Sequence, residues 1–336
     1  MIMASIEAEM NQVDEYLNKR LLCFSEYPQI SNMLESIRAK KGKRLRPQLL
    51  LLSAHFTEHN QECSERLFKL AAMIETIHIA SLVHDDVVDD SPLRRGIPTT
   101  QALYGKKAAV FAGDLLIGRL SETIFDENFR DAGVLLAKTV QEMCCGEISQ
   151  LGCVFNRDIT MDDYMRYIFG KTAALFRTAC LLGALESGAD DKTAEALGRT
   201  GEYLGMAFQL RDDLLDFIGD EQKEGKPRYM DLRDGIYTPP MLFALAASAT
   251  KARMREIAAA DNAVNEERLP EIISLIEQAD GIFKTMALLR DYLARARGEL
   301  EMLRECDGRR GIYEIIDIIS LKDRQINSTN QLEKAE

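Results

Sequence analysis

Apolar residues recur every three or four positions over most of the chain, and this spacing places them on one face of a helix. The pattern is clearest in four long segments, 109–125, 131–151, 161–186 and 193–218, and no proline interrupts any of them. No alternating run of useful length predicts a strand. We therefore expect an all-α fold, a single helical bundle of about twelve helices, whose longest helices are apolar nearly all round because they lie at its centre.

Composition and charge narrow the class of protein. The length of 336 residues could hold two domains, but the uniform helical pattern favours one domain over residues 1–336. The formal net charge of -12 argues against a nucleic-acid partner, because phosphate backbones are bound by basic surfaces. The seven cysteines form no CxxC pair or zinc spacing, which fits a reducing, cytoplasmic location. No uncharged apolar stretch reaches the length of about 18 residues that spans a bilayer, so we expect no stable membrane insertion.

Two copies of the pattern DDxxD are the strongest chemical signal. They lie in HDDVVDD and LRDDLLDF and supply Asp85, Asp86 and Asp89 in the first copy and Asp212, Asp213 and Asp216 in the second. On a helix, the first and last aspartate of each copy lie one turn apart on the same face. Like charges at that spacing destabilise a helix, so the arrangement calls for a compensating cation. A few hard oxygen ligands per helix, with room for water and phosphate, suit Mg²⁺ better than Ca²⁺.

Other interpretations of the acidic residues agree less well with the sequence. A single acidic pair could belong to a solvated helix face. Both copies, however, end apolar runs and adjoin the expected core, where unpaired carboxylates would be costly. Glu75 and His78 have the Glu-x-x-His spacing of di-iron bundles, but that class needs a second such pair, and none of His55, His59 and His84 supplies one.

Several basic residues could bind phosphate groups near the aspartates. They are Arg94 and Arg95 directly after the first aspartate motif, Lys43, Arg44 and Arg46 in GKRLRP, Lys171 in GKTAALF and Lys226 in GKP. Guanidinium groups bind phosphate oxygens bidentately, and ammonium groups act as point charges. Each of these residues taken singly could be an ordinary surface cation. Together with Mg²⁺ they predict a diphosphate site that opens into an apolar helical bundle.

The order of these motifs resembles that of the trans-isoprenyl diphosphate synthases, the polyprenyl synthase family. The resemblance spans residues from about 30 to 325 and rests on these segments in family order: GKRLRP, ETIHIASLVHDDVVDDSPLRRGIPT, AVFAGDLL, GEISQL, GKTAALF, FQLRDDLLDF and GKPRYMDLRDGIYTPP. It implies an isoprenoid synthase fold around a deep central cavity, with an aspartate motif on each side of the mouth, usually in a homodimer. It also implies condensation of isopentenyl diphosphate with an allylic diphosphate, with Mg²⁺ as cofactor and release of diphosphate.

The resemblance further implies roles for individual residues. The Mg²⁺ ligands would be Asp85, Asp89 and Asp212, supported from the second shell by Asp86, Asp213 and Asp216. The allylic diphosphate would be held by Arg94, Lys171, Gln209 and Lys226, with Thr172 and Gln209 near the developing cation. The diphosphate of isopentenyl diphosphate would be held by Lys43, Arg46, His78 and Arg95. Two of these residues have ordinary structural alternatives, since His78 could be a satisfied core histidine and Thr172 could bond its own helix backbone.

Three positions depart from the family pattern and could alter loop closure. Lys41 stands where the first of two glycines is usual, Tyr229 where a glycine often follows GKP, and Pro239 where leucine is usual. Every matched ligand is nevertheless present. We therefore expect an active enzyme.

The length of the product is expected to depend on the helix that leads into the first aspartate motif. Ala80 and Ser81 lie about one turn before Asp85, and Ile77 lies deeper on about the same face. None of them is aromatic, so the resemblance implies an open cavity floor and a product longer than a farnesyl chain. A chain of roughly seven to ten isoprene units, as attached to respiratory quinones, is favoured over a geranylgeranyl product. The small residues could instead only permit close helix packing.

Two functions of other classes stay open. A class I terpene cyclase shares one DDxxD motif, but it usually carries a different second metal motif and does not need the residues matched to isopentenyl diphosphate. A subunit of a heteromeric synthase typically lacks one or both aspartate motifs, and this chain keeps both. A self-sufficient polyprenyl diphosphate synthase is therefore the main hypothesis.

Overall fold

The computed structural model describes residues 6–24, 26–38, 42–58, 61–94, 96–220, 227–260 and 267–321. Its helices in the first half of the chain are α1 (Glu7–Tyr16), α2 (Pro28–Arg38), α3 (Leu45–Ala54), α4 (Gln61–Val88), α5 (Thr100–Tyr104), α6 (Lys106–Asp126) and α7 (Arg130–Leu151). The second half contains α8 (Met161–Ile168), α9 (Ala174–Glu186), α10 (Asp191–Ile218), α11 (Met230–Arg233), α12 (Pro239–Ala246), α13 (Lys251–Ala260), α14 (Leu269–Gln278), α15 (Gly281–Glu301) and α16 (Asp307–Ile319). The expected all-α fold class is confirmed.

Short irregular elements interrupt the helices. Two π-helical segments, Leu17–Leu21 and Phe169–Ala173, follow α1 and α8. The strands β1 (Leu93–Arg94) and β2 (Ile97–Pro98) form an antiparallel hairpin between α4 and α5. The helices α5 and α11 have only five and four residues, too few to produce a readable apolar period in the sequence.

The described residues divide into two compact units. Unit 1 comprises the described residues within Met1–Val140, Leu175–Gly201 and Glu299–Ile315, and unit 2 comprises those within Gln141–Ala174, Glu202–Gly298 and Ile316–Glu336. In unit 1, α4 packs against α3 and α6. Its residues from Leu70 to Ile74 are fully buried, which explains why α4 is apolar nearly all round. In unit 2, α12 packs against α8, α13 and α14.

Close backbone contacts account for several glycines of the long helices. A side chain at Gly183 in α9 would meet the carbonyl oxygen of Leu50 in α3 at 2.0 Å. In unit 2, a side chain at Gly146 would meet the backbone nitrogen of Lys171 at 2.3 Å. Only glycine permits such approaches. The second contact brings α7 directly onto the π-helical segment that carries Lys171.

Two helical stretches, Ser64–Val88 and Met161–Glu186, are long and apolar enough to cross a membrane by length and composition alone. In their most apolar windows, 61% and 72% of the residues are buried inside the protein. This burial is that of core helices, whose apolar residues contact other helices instead of lipid.

Candidate active site

The first aspartate motif lies at the C-terminal end of α4. Asp86 is buried, and one of its carboxylate oxygens accepts a hydrogen bond from Nε of Arg94 at 2.6 Å. Its backbone carbonyl accepts from the side-chain amide of Gln101 at 2.7 Å. Asp85 is half-buried and Asp89 is exposed. The middle aspartate is therefore held by the protein, while its two neighbours, one turn apart, are more accessible.

The β1–β2 hairpin positions Arg94. The hairpin turns at Gly96, whose φ of +74° lies in the left-handed region that favours glycine. Thr99 then caps α5 by accepting a hydrogen bond from the backbone of Ala102. Arg94 thus reaches Asp86 through a short, hydrogen-bonded segment, and its guanidinium is oriented before any ligand binds.

The second aspartate motif lies near the C-terminal end of α10 and also contains both accessible and buried carboxylates. Asp212 is exposed, whereas Asp213 and Asp216 are buried. The two carboxylate oxygens of Asp216 accept hydrogen bonds from the backbone nitrogens of Met230 at 3.1 Å and Asp231 at 3.3 Å. The Asp216 carboxylate therefore has a structural role, because it connects the start of α11 to α10.

Asp213 belongs to a chain of hydrogen bonds within unit 2. The hydroxyl of Tyr164 donates to one of its carboxylate oxygens, and the side-chain amide of Gln209 donates to the other at 2.8 Å. The carbonyl oxygen of Gln209 in turn accepts from the hydroxyl of Thr172 at 2.7 Å. The structure thus brings together three residues that the sequence placed at the site, and adds Tyr164 to them.

Burial raises the pKa of Asp213 to about 7. The hydrogen bonds from Tyr164 and Gln209 and the charge of Lys171 act in the opposite direction, and the neighbouring charge of Asp212 raises this pKa further. Desolvation is the largest of these effects because the carboxylate loses most of its water. Burial thus works against the charged carboxylate, whereas its two hydrogen-bond donors and Lys171 favour it.

Lys171 and Thr172 lie in the π-helical segment Phe169–Ala173 between α8 and α9. The Lys171 ammonium donates to Glu147 at 3.0 Å and to Gln150 at 2.8 Å, both in α7. Single-turn π-helical insertions change the direction of the side chains that follow them. Here the insertion falls within a continuous helical pattern, so the apolar periodicity of the sequence did not reveal it.

The residues matched to isopentenyl diphosphate have different surroundings. Lys43 is exposed, and His78 is half-buried in α4. The guanidinium of Arg46 lies 4.5 Å from the ring centre of Phe176, a cation–π contact within unit 1. Burial lowers the pKa of Arg46 to about 10, and the charge of Glu75 acts in the opposite direction. Arg46 therefore remains a cation at neutral pH.

The positions expected to control product length differ in burial. Ala80 and Ile77 are buried in the core of unit 1, whereas Ser81 is half-buried. The Ser81 hydroxyl donates to the backbone carbonyl of His78 at 2.9 Å, within its own helix. Ser81 is therefore the more open of the two small positions.

Two of the three departures from the family pattern have local explanations. Lys41, Arg95 and Lys226 lie outside the described residues. Tyr229 adopts the left-handed conformation, with φ of 62°, that explains why glycine is usual there, and its ring packs edge-on against Phe217 at 5.6 Å. Pro239 begins α12, where the missing backbone N–H of proline is tolerated.

The carboxylates present fit Mg²⁺ as a partner. In the parts of the chain that the structure describes, no three His, Cys, Asp or Glu side chains lie close enough together to hold a metal ion by themselves. Asp85, Asp89 and Asp212 are instead accessible carboxylates with buried neighbours. Mg²⁺ uses only one or two carboxylates in many sites and completes its shell with water and substrate phosphates. The donor chemistry is therefore that of a metal bound together with a diphosphate.

The chain is all-α, and each of its two aspartate motifs contains both accessible and buried carboxylates. Each unit also contains a hydrogen-bonded cation, Arg94 or Lys171. These are the chemical groups of an isoprenoid synthase. The polyprenyl synthetase family matches residues 27–276. Heptaprenyl diphosphate synthase component 2 of Geobacillus stearothermophilus is 38% identical over 288 residues, which are 86% of this chain and 88% of that relative.

Solved structures agree with this assignment. A decaprenyl diphosphate synthase from Rhodobacter capsulatus matches with a TM-score of 0.86 and 31% identity, covering 95% of this chain and 97% of that one. A polyprenyl synthase from Caulobacter crescentus, solved with calcium and isoprenyl diphosphate, matches with a TM-score of 0.85 and 33% identity, covering 95% and 96%. The chain therefore belongs to the polyprenyl synthetase family, and it is a prenyltransferase.

Proposed function

We propose that this protein is a trans-polyprenyl diphosphate synthase that adds isopentenyl diphosphate units to an allylic diphosphate and makes a long-chain product. The observation that carries the proposal is the division of both aspartate motifs into accessible and buried carboxylates. The accessible carboxylates can bind a metal–diphosphate complex, and the buried carboxylates can hold their neighbours in place. Relatives named heptaprenyl and decaprenyl diphosphate synthase support the reaction and the long product.

We assign Asp85, Asp89 and Asp212 as the Mg²⁺ ligands, with the three buried aspartates as their supports. Bound Mg²⁺ would supply positive charge that stabilises the departing diphosphate. A divalent cation at these carboxylates is compatible with the Caulobacter crescentus relative, whose structure contains calcium and isoprenyl diphosphate.

The cationic side chains would perform the electrostatic part of the reaction. As the carbon–oxygen bond of the allylic substrate breaks, negative charge grows on the diphosphate, and Arg94, Lys171 and Lys226 stabilise it. Lys171 is already held by Glu147 and Gln150, so little reorganisation is needed when substrate binds. Lys43, Arg46, His78 and Arg95 would hold the diphosphate of isopentenyl diphosphate.

Carbon–carbon bond formation follows when the allylic cation meets the alkene of isopentenyl diphosphate. The Thr172 hydroxyl donates its hydrogen bond to Gln209, so its oxygen keeps lone pairs that favour a nearby positive charge. Loss of a proton, which we assign to the released diphosphate as base, then gives an allylic diphosphate one isoprene unit longer. Apolar surroundings would keep water from the cation.

We propose that Ala80, Ser81 and Ile77 leave space for a growing chain beyond the farnesyl length. Their small or aliphatic side chains contain no aromatic ring that would end elongation early. A product of roughly seven to ten isoprene units suits a quinone side chain, and geranylgeranyl diphosphate is the alternative.

We also propose that the chain works as one catalytic domain in a cytoplasmic homodimer. Exposed apolar residues recur on α7, and the most exposed are Val134, Ile148 and Leu151. Such a stripe is typical of a helix that packs against a partner. A second copy of this chain is the first candidate. A different subunit is the other, because the relative from Geobacillus stearothermophilus is named as one component of its enzyme.

The experiment that tests the proposal uses the purified protein alone, with Mg²⁺, labelled isopentenyl diphosphate and farnesyl diphosphate. The dephosphorylated products are then sized. A ladder that passes geranylgeranyl supports a self-sufficient long-chain synthase, and a stop at geranylgeranyl supports the shorter alternative. If no product forms although the folded protein binds both substrates, a heteromeric subunit becomes the better assignment.

A further inference from the structure

Tyr164 is a buried tyrosine to which the proposed reaction assigns no role. It lies in α8 and is fully buried, and its ring packs edge-on against that of Tyr167, with ring centres 5.3 Å apart. A reciprocal capping box between Thr160 and Asp163 fixes the start of this helix. Burial, followed by the charge of Asp213, raises the pKa of Tyr164 well above its ordinary value. Its hydroxyl therefore remains a hydrogen-bond donor.

The acceptor of this hydroxyl is the carboxyl group of Asp213. Tyr164 donates to one carboxylate oxygen, and Gln209 donates to the other at 2.8 Å. Tyr164 and Asp213 are 49 residues apart in the sequence, so this contact ties α8 to α10. Gln209 lies one turn before Asp213 on the same helix, and its amide alone does not restrain both oxygens.

The donor and the acceptor of each of these hydrogen bonds can be assigned. Because a carboxylate accepts and does not donate, Gln209 presents its NH₂ group to Asp213 and its carbonyl oxygen to Thr172. Thr172 donates to that oxygen at 2.7 Å. The orientations of Gln209 and Thr172 therefore follow from the position of the Asp213 carboxylate.

We propose that Tyr164 is a positioning residue for the condensation reaction: its hydroxyl holds the Asp213 carboxylate, which orients Gln209 and, through it, Thr172. The inference rests on the proposed function, because that function places Gln209 and Thr172 beside the developing allylic cation. Tyr164 itself is not assigned a contact with substrate.

The test compares Tyr164→Phe with Tyr167→Phe, with farnesyl diphosphate, isopentenyl diphosphate and Mg²⁺ as substrates and metal. Tyr167 is a matched control, because it is also buried in α8, whereas the hydroxyl that donates to Asp213 is that of Tyr164. Loss of a supporting hydrogen bond should lower kcat about 10- to 100-fold in Tyr164→Phe. The KM for isopentenyl diphosphate should change less than about twofold, and Tyr167→Phe should resemble the wild type.

A double-variant cycle separates positioning from packing. In a Gln209→Ala background, Tyr164→Phe should cause almost no additional decrease in kcat, because the Gln209 side chain through which Tyr164 acts is absent. An equal fall in both backgrounds would show a packing effect and overturn the proposal. If Tyr164→Phe does not fold, Asp213→Asn is measured in the same cycle, because it disrupts the same hydrogen-bond chain with almost no change in shape. Wild-type kcat in Asp213→Asn would then overturn the proposal.

The wild-type protein, measured beside the variants, separates a failure of the proposed function from a failure of the role of Tyr164. Absence of product from the wild type would refute the proposed function, and the role of Tyr164 with it. An active wild type with equal kcat in Tyr164→Phe and Tyr167→Phe would refute the role of Tyr164 alone.

Discussion

At the scale of single residues, burial distinguishes aspartates that look alike in the sequence. Asp86 is 3% exposed and Asp216 is 1% exposed, and both are satisfied by donors from the protein. Asp89 and Asp212 are exposed at the surface. A buried carboxylate without donors would be costly, so the supporting partners are as necessary as the motif itself.

The ion pair between Asp86 and Arg94 should be required for activity. Replacing Asp86 with Asn removes the charge that orients Arg94, and we expect kcat/KM for the allylic diphosphate to fall about 10- to 100-fold. Steady-state kinetics at saturating Mg²⁺ measure this change. Asp90→Asn is the matched control, because Asp90 is an exposed aspartate in the same segment, paired with the exposed Lys106 at 3.0 Å. Equal kinetics in the two variants would contradict the role of the pair.

His55 should make the stability of the protein depend on pH. Its ring lies 3.1 Å from both carboxylate oxygens of Glu9, and this hydrogen bond raises the pKa of His55. A raised pKa means that the protonated ring stabilises the folded state. This stabilisation is complete below the unfolded-state pKa of about 6.5 and is lost as the pH rises through the higher folded-state value. We expect a contribution of about 1 kcal/mol, because both side chains are partly exposed.

The measurement is the free energy of unfolding by urea between pH 5.5 and 8.5, a window of about one to two pH units on either side of the reference pKa. Glu9→Gln should lose the stabilisation at the acidic end and differ little from the wild type at the basic end. Glu7→Gln, at an exposed position of the same helix, serves as the control. A difference between Glu9→Gln and the wild type that stays constant over the whole range would disprove the linkage.

At the scale of elements, local conformation explains how α4, α10 and their neighbours present the motifs. The buried side chain of Asp216 fastens α11, and Tyr229 accepts a left-handed conformation that costs roughly 1 kcal/mol or more for a residue other than glycine. The contact of Tyr229 with Phe217 helps to offset that cost. A departure from the family sequence is thus accommodated in a left-handed conformation that glycine would adopt readily.

The helix α4 should determine product length through Ser81. Ser81→Phe adds an aromatic ring at a half-buried position, and we expect shorter products with the first condensation largely retained. Ala80→Phe should shorten the product as well, but it should also cost about 1 to 3 kcal/mol in stability, because Ala80 is fully packed. Sizing of the dephosphorylated products tests both variants, and Ser81→Ala is the control that keeps a small side chain. Unchanged length in both phenylalanine variants would refute this assignment.

At the scale of the whole molecule, the exposed stripe of α7 should be covered by a partner. Val134→Glu places a charge on the stripe and should shift a dimer toward the monomer mass of 37.8 kDa, because an unpaired charge in an apolar interface is costly. Light scattering after size-exclusion chromatography measures the mass. Lys251→Gln, at an exposed position of α13, changes the net charge equally and should leave the assembly intact. A wild type that is monomeric alone but binds a second kind of subunit would favour the heteromeric alternative.

Much of the fold could be predicted because its signals are local. The period of apolar residues predicts α6, α7 and α10, since each residue's position on a helix face depends only on its spacing. The DDxxD spacing likewise predicts two carboxylates on one face. The family motifs then identify the chemistry from residue types in sequence order.

The sequence alone therefore determined the helices, the two aspartate motifs and the family. Only the tertiary structure decided which aspartates are buried, which donor holds each of them, and that Tyr164 joins the second motif. Nothing in α8 distinguishes Tyr164 from another apolar core residue, because its role depends on Asp213, a residue 49 positions away. Hydrogen-bond partners and burial are set by contacts between distant segments, whereas a local pattern reports only the shape of its own helix.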